Sequence, residues 1–148
     1  MGLLSRHKRE KTKAEELYQK IDKVFCPYFN KEVIFNSDGF HHLQFSAGSE
    51  RRKEEQLLKF DFLRFAEDII KNSGTIQTYR KQWGVVGRKA NGQMKEMEYW
   101  GLIALLGDNH IGVKVVLRRV GDGNITFWSV MPSEEKDKTK TDETLLEK

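Results

Sequence analysis

The chain has 148 residues, enough for one ordinary domain with a real core and too few for two comfortable ones. With 38% hydrophobic and 32% charged residues it is poorer in apolar material than average, which predicts that part of it is solvated extension. The single cysteine, Cys26, excludes an internal disulfide, and no apolar run reaches bilayer-spanning length, the longest (Tyr99 to Leu106) being strand-sized.

The opening MGLLSRHKRE has no signal-peptide hydrophobic region. Its serine, Ser5, stands one place early for myristoylation, and Arg6 fills the required position. These features predict a cytoplasmic protein with no membrane partner. The net charge of +4 is unevenly spread: residues 1–25 carry seven Lys and Arg against four Asp and Glu, and residues 132–148 carry four Lys against six acids. A mildly basic body with an acidic tail is compatible with a nucleic-acid partner.

Taken in order, residues 6–23 form a charged, helix-friendly run, with Leu17, Ile21 and Val24 at spacings of four and three. This predicts an amphipathic helix with a narrow apolar stripe, interleaved with Lys8, Arg9, Lys11 and Lys13. Residues 1–25 thus read as a basic helical arm, either solvated or laid along a nucleic-acid backbone. Pro27 breaks the segment, and Glu32 to Phe35 is a short strand. The stretch FNSDGFHHLQF follows, in which Ser37 is a natural N-cap, Asp38 suits a first turn, and Phe40 with Leu43 faces a core. His41 and His42 diverge by about a hundred degrees on such a helix, so only one of them can face a given site.

Ser49 to Asn72 reads as the longest helix, with a stripe of Leu58, Phe62, Phe65 and Ile69 widened by Leu63 and Ile70. Ser49 caps its start, and Lys71 with Asn72-Ser73-Gly74 closes it. Its first turn, Arg51-Arg52-Lys53, opposes the local dipole, so solvation or a function other than helix stability places those bases there.

From Thr75 the texture becomes that of strands. Thr75 to Trp83 and Met94 to Leu106 flank a loop or distorted hairpin over Gly84 to Gly92, ending in the turn dipeptide Asn91-Gly92. A Gly107-Asp108-Asn109 turn leads into Gly112 to Pro132, GVKVVLRRVGDGNITFWSVMP. There Val113, Val115 and Leu117 alternate with Lys114, Val116 and Arg118, and Gly121 to Asn124 supplies a turn before a second strand. On that strand Phe127, Ser129 and Met131 are expected on one face, with Trp128 and Val130 on the other. The class is α+β: N-terminal helices packed on a C-terminal antiparallel β-meander of about four strands. Phe62, Phe65, Ile69, Leu102, Ala104, Val115, Leu117, Trp128 and Val130 are the expected core. Residues 26–132 form the domain, and residues 133–148, polar and aperiodic, read as a disordered acidic tail.

The chemistry follows from what is missing and what remains. Cys26, His41, His42 and His110 show no metal-ligand spacing, and Gly84, Gly87 and Gly92 match neither the P-loop nor the dinucleotide fingerprint. The strands are almost free of carboxylates, which two-metal phosphoryl chemistry needs. No cofactor or metal is therefore expected. What remains is a histidine on a short helix, Lys114 and Arg118 on one strand face, Arg80 on an earlier strand and Ser129 on the last. This set suits RNA cleavage by attack of the 2′-OH on its own phosphate. Histidine titrates near neutrality and can move the proton, the cations can hold phosphate oxygens, and a hydroxyl can orient the phosphate or the attacking oxygen.

The stretches FNSDGFHHL and KVVLRRVGDGNITFWSVMP together resemble the phage-type branch of the barnase–EndoU–colicin–RelE-like nuclease superfamily, over about residues 30–132. In that branch a histidine lies in a Gly-x-x-His-(Ile/Leu) pattern, here Gly39-Phe40-His41-His42-Leu43, so the match falls on His42. The resemblance implies a metal-independent α+β nuclease acting on RNA in toxins or selfish elements, with a cognate inhibitor or antitoxin as a further partner. On this reading His42, Arg118 and Ser129 are catalytic, and Lys114, Arg80 and His41 bind substrate. The alternative is a non-catalytic RNA- or protein-binding module on the same fold.

Overall fold

The structure, a computed structural model, describes residues 2–86 and 93–133. The expected turn at Asn91-Gly92 and the expected acidic tail beyond Ser133 lie outside the described residues.

Helix α1 spans Leu3–Ile21, and Asp22 at φ 57° ends it abruptly, so that strand β1, Lys23–Cys26, begins at once. A turn over residues 27–30 folds β1 onto β2, Lys31–Ile34. Helix α2, Ser37–Gln44, leads into a two-residue hairpin, β3 at Phe45–Ser46 and β4 at Ser49–Glu50. Helix α3 is Lys53–Lys71, and four strands complete the fold: β5 Thr78–Val86, β6 Gln93–Leu106, β7 Ile111–Val120 and β8 Thr126–Pro132. The expected α+β layout is present. β5 to β8 form an antiparallel meander, and the β1–β2 hairpin adds two strands through a parallel bridge between Ile34 and Thr126.

Three local expectations need correction. The cap of α2 is Asn36, whose side chain accepts from the Gly39 N–H at 3.2 Å; Ser37 is already helical. The long helix begins at Lys53 rather than Ser49. Ala47 and Gly48 both take positive φ, and that backbone favours a tight hairpin over the first helical turn. The buried stripe of α3 is also rotated from the expected one: Leu58 is 42% exposed, and Phe62 and Phe65 are only partly buried. Gln56, Leu57, Lys59, Phe60, Leu63, Ala66, Ile69 and Ile70 face inward instead. Hydropathy alone rejects a glutamine and a lysine from that face. Tertiary hydrogen bonds to both make the burial tolerable.

One such bond comes from α1. Its His7 Nε2 lies 2.7 Å from Gln56 Oε1, and Ala14, Tyr18 and Ile21 join the central core. The helix read as a basic arm is therefore docked along one stripe, with Arg6, Lys8, Arg9 and Lys13 exposed. The core lies between the helices and one face of the sheet, which supplies Trp100, Leu102, Val113, Val115, Leu117, Phe127 and Val130.

Trp128, expected in that core, is half-buried on the opposite face. The cause is a break in the β7–β8 ladder: Leu117 pairs with Phe127 and Val116 with Ser129, so Trp128 is the extra residue of a β-bulge. The bulge suspends the in-out alternation, and Trp128, Ser129 and Met131 line one side together while Phe127 turns into the core.

Candidate active site

The face of the sheet turned away from the core is built in cross-strand rows. Thr78, Gly101, Val116 and Ser129 form one row across β5, β6, β7 and β8. Arg80, Tyr99 and Arg118 form the next, and Ile103, Lys114 and Met131 lie on the other side of the first. The middle row is low because it contains a glycine. A Cβ at Gly101 would fall on the Thr78 hydroxyl and 2.8 Å from Lys114 Cε. Its absence leaves a cavity of about 500 Å³, lined among others by His42, Arg80, Tyr99, Lys114, Trp128 and Ser129. The charged groups in this lining are basic, with no carboxylate among them.

His42 reaches the cavity because α2 lies close against β8. The close approach depends on Gly39, where a Cβ would meet the Tyr18 hydroxyl and the Phe127 carbonyl. Three residues on, the His42 ring stacks on Trp128 at 4.1 Å between centroids and 18° between planes. Arg118 Cζ stands 3.7 Å from the same indole centroid. Two planar groups this near one centroid would collide on the same side, so the indole is sandwiched between imidazole and guanidinium. Arg80 covers Tyr99 likewise at 4.6 Å. These cation–π contacts hold the arginines in place without neutralising them. Arg118 Nε is buried and, among the described residues, has no hydrogen-bond partner.

A second layer of cations stands behind His42. Arg51 donates from Nε to the His42 carbonyl at 2.9 Å, and its Nη2 lies 3.1 Å from His42 Nε2. A guanidinium has only donors, so Nε2 must accept and the imidazole proton sits on Nδ1. Burial first, then the charges of Arg51, Lys59 and Arg118, lower the His42 pKa to about 4, which makes it neutral at physiological pH. Lys59, only 5% exposed, donates to Ser129 Oγ and to the Val130 carbonyl, both at 3.2 Å. It lies on the side of β8 where β2 pairs no further than Thr126.

Of the residues singled out in the sequence, His42, Arg80, Lys114 and Ser129 line one cavity, and Arg118 borders it through Trp128. His41 is elsewhere: it is exposed, stacks on Phe45 at 4.5 Å and faces a separate cavity with Glu15, Tyr18 and Asp22. Sequence reasoning missed Lys59, Tyr99, the position of Trp128 and the contact of Arg51 with His42. Lys59 carried a faint signal, since it falls three and four residues before Phe62 and Leu63 of the expected stripe. Among the described residues, no three His, Cys, Asp or Glu side chains gather as a metal-ligand set. No helix there is long and apolar enough to cross a membrane.

No family model, no curated protein and no solved structure matches the chain.

Proposed function

We propose that this protein is an endoribonuclease that cuts RNA without a metal ion, by attack of the 2′-OH on the adjacent phosphate, as an effector of the toxin or selfish-element kind. The observation that carries the reading is a neutral histidine, stacked on Trp128, in the lining of a cavity whose charged groups are all basic. A phosphodiester is the anion such a cavity suits, because Arg80, Lys114 and Arg118 can share the charge that builds on the phosphorane. The entering phosphate gives Arg51 a stronger acceptor than imidazole, which frees His42 Nε2. It also offsets the cations that hold the His42 pKa down, so the base strengthens as substrate binds. O2′ then loses its proton to His42, the O2′–P bond forms and the P–O5′ bond breaks. The departing O5′ takes a proton from the imidazolium or from solvent.

The test is incubation of single-stranded RNA with purified protein in excess chelator, read by product ends. Cleavage to 2′,3′-cyclic phosphate or 3′-phosphate termini, with a 2′-deoxy substrate left whole, supports the reading. One observation favours a second reading, an RNA-binding module without turnover: Arg51 already occupies the His42 lone pair. In that case RNA binds at low salt, nothing is cut, and His42→Ala leaves affinity unchanged.

A further inference from the structure

Lys59 is a buried lysine that, among the described residues, forms no ion pair. The one acid that bears on its titration, Glu55, is engaged by Arg51 at 2.9 Å. Two of its protons go to a hydroxyl and a carbonyl, neither of which carries a compensating charge. Burying an ammonium in this way is costly, and buried charges are as a rule paired with an opposite charge or shifted toward neutrality. Arg118 Nε, buried on the other side of Trp128, is a second donor without an acceptor among the described residues. Lys59 reaches the cavity through Ser129, which is 1% exposed yet lines it.

We propose that Lys59 and Ser129 form a coupled donor that builds a phosphate subsite in the cavity floor, with Lys59 as the positioning residue and the Ser129 hydroxyl as the group that touches phosphate. The reasoning is one of valence. A serine oxygen that accepts from an ammonium has its own proton left to give, and the cavity is the side open to it. The hydroxyl is thereby fixed as a donor aimed at an anion and strengthened by the charge behind it. If Lys59 loses its proton, it can accept from Ser129 instead, and the hydroxyl turns inward. Burial, then Arg51, lower the Lys59 pKa to about 8, with Glu55 opposing in part; His42 on α2 is the other titratable group facing it. The subsite therefore weakens as pH rises through that region.

This deepens the ribonuclease reading by naming how one phosphate is held, and its test does not need cleavage. Adenosine 3′-monophosphate, whose phosphate is already almost fully ionised at pH 7.5, is titrated into the full chain between pH 7.5 and 10, with inorganic phosphate as a second probe corrected for its own remaining ionisation, and binding is followed by NMR. The parent should lose affinity as pH rises through about 8. Lys59→Met should be weaker by roughly tenfold at pH 7.5, the scale of one charge-assisted hydrogen bond, and flat with pH. Lys59→Arg, which keeps a charge that does not titrate, should also be flat but bind more tightly than Lys59→Met. Ser129→Ala should lose as much as Lys59→Met, and the double variant should lose no more than either. Full affinity in Lys59→Met, additive losses, or no binding of either probe by the parent would each overturn the subsite. Binding with this pattern but no RNA cleavage would sustain the subsite while removing the nuclease reading.

Discussion

Arg51 grips His42 at two points, its Nε on the main-chain carbonyl at 2.9 Å and its Nη2 at ring Nε2 at 3.1 Å, and so fixes both the position and the tautomer of the imidazole. Replacing Arg51 with Met removes a donor and a charge together. The His42 pKa should then rise from about 4 toward its ordinary 6.5, by on the order of one pH unit, since burial, Lys59 and Arg118 still oppose protonation. Ring-nitrogen NMR shifts check both points. The parent at neutral pH should show a neutral ring protonated at Nδ1, and a ring protonated at Nε2 would refute the assignment.

The same depression makes stability depend on pH. His42 has a folded-state pKa of about 4 against 6.5 for the free group, so the unfolded chain takes up that proton first. Folding should weaken as pH falls from 6.5 to 4, and His42→Gln should flatten that limb of the Tm profile. Lys59 titrates near 8 in the fold against 10.5 unfolded, which again leaves the unfolded chain with more bound protons. Stability should therefore climb between those pH values, and Lys59→Met should abolish the climb. Below pH 8 that variant should melt no lower than the parent, because a buried unpaired charge is gone.

On activity, His42→Ala should lower single-turnover cleavage by roughly a hundred- to ten-thousandfold, the range for lost acid–base catalysis, with the fold retained. His41→Ala should be mild, since its ring faces the other side of α2. Arg118→Lys should also be harmful: an ammonium reproduces neither the paired donors nor the flat packing on Trp128. Parent-like cleavage by His42→Ala would take the histidine out of the reaction.

Much of this arrangement was legible in the chain, and the rest was hidden for identifiable reasons. Strict alternation over Val113 to Arg118 gave the correct faces for Lys114 and Arg118, because period two follows from backbone geometry alone. Of the two adjacent histidines, the one that the resemblance points to, His42, lines this cavity. Alternation failed one strand later. A bulge adds a residue without any composition signal, and so Trp128 was expected in the core. Lys59 was obscured by the assumption that a helix buries its most apolar stripe. The structure turns α3 so that a lysine and a glutamine face inward, each satisfied by a residue 70 or 49 positions away. Partners at such separations are invisible to any local window.

Gly101 offers a test of the cavity floor. Its missing side chain lets Thr78 and Lys114 converge, so Gly101→Ala should fill the space and push Lys114 aside. Phosphate binding should fall more than stability does. If the variant melts like the parent and binds adenosine 3′-monophosphate equally well, the floor is not where the anion rests.

Gly39 tests the joint that brings the histidine to the sheet. It lies one turn before His42 in α2, and a Cβ there would overlap the Tyr18 hydroxyl and come within 2.5 Å of the Phe127 carbonyl. Neither neighbour moves freely. The Tyr18 hydroxyl donates to the Asn36 carbonyl at 2.5 Å, and the Phe127 ring is fully buried against Phe35 at 4.7 Å. In an open helix Gly→Ala would stabilise by up to about 1 kcal/mol through propensity. Here overpacking should win, for a net loss of roughly 1–3 kcal/mol in denaturant unfolding. The relief available to the fold is to lift α2 from β8, which would part the His42 ring from Trp128. Gly39→Ala should therefore lose cleavage well beyond what its remaining folded fraction explains, and the His42 pKa should rise as the ring leaves its cationic surroundings. A variant that is more stable than the parent, with an unshifted His42 titration, would show that α2 has room to spare and that this glycine does not set the site.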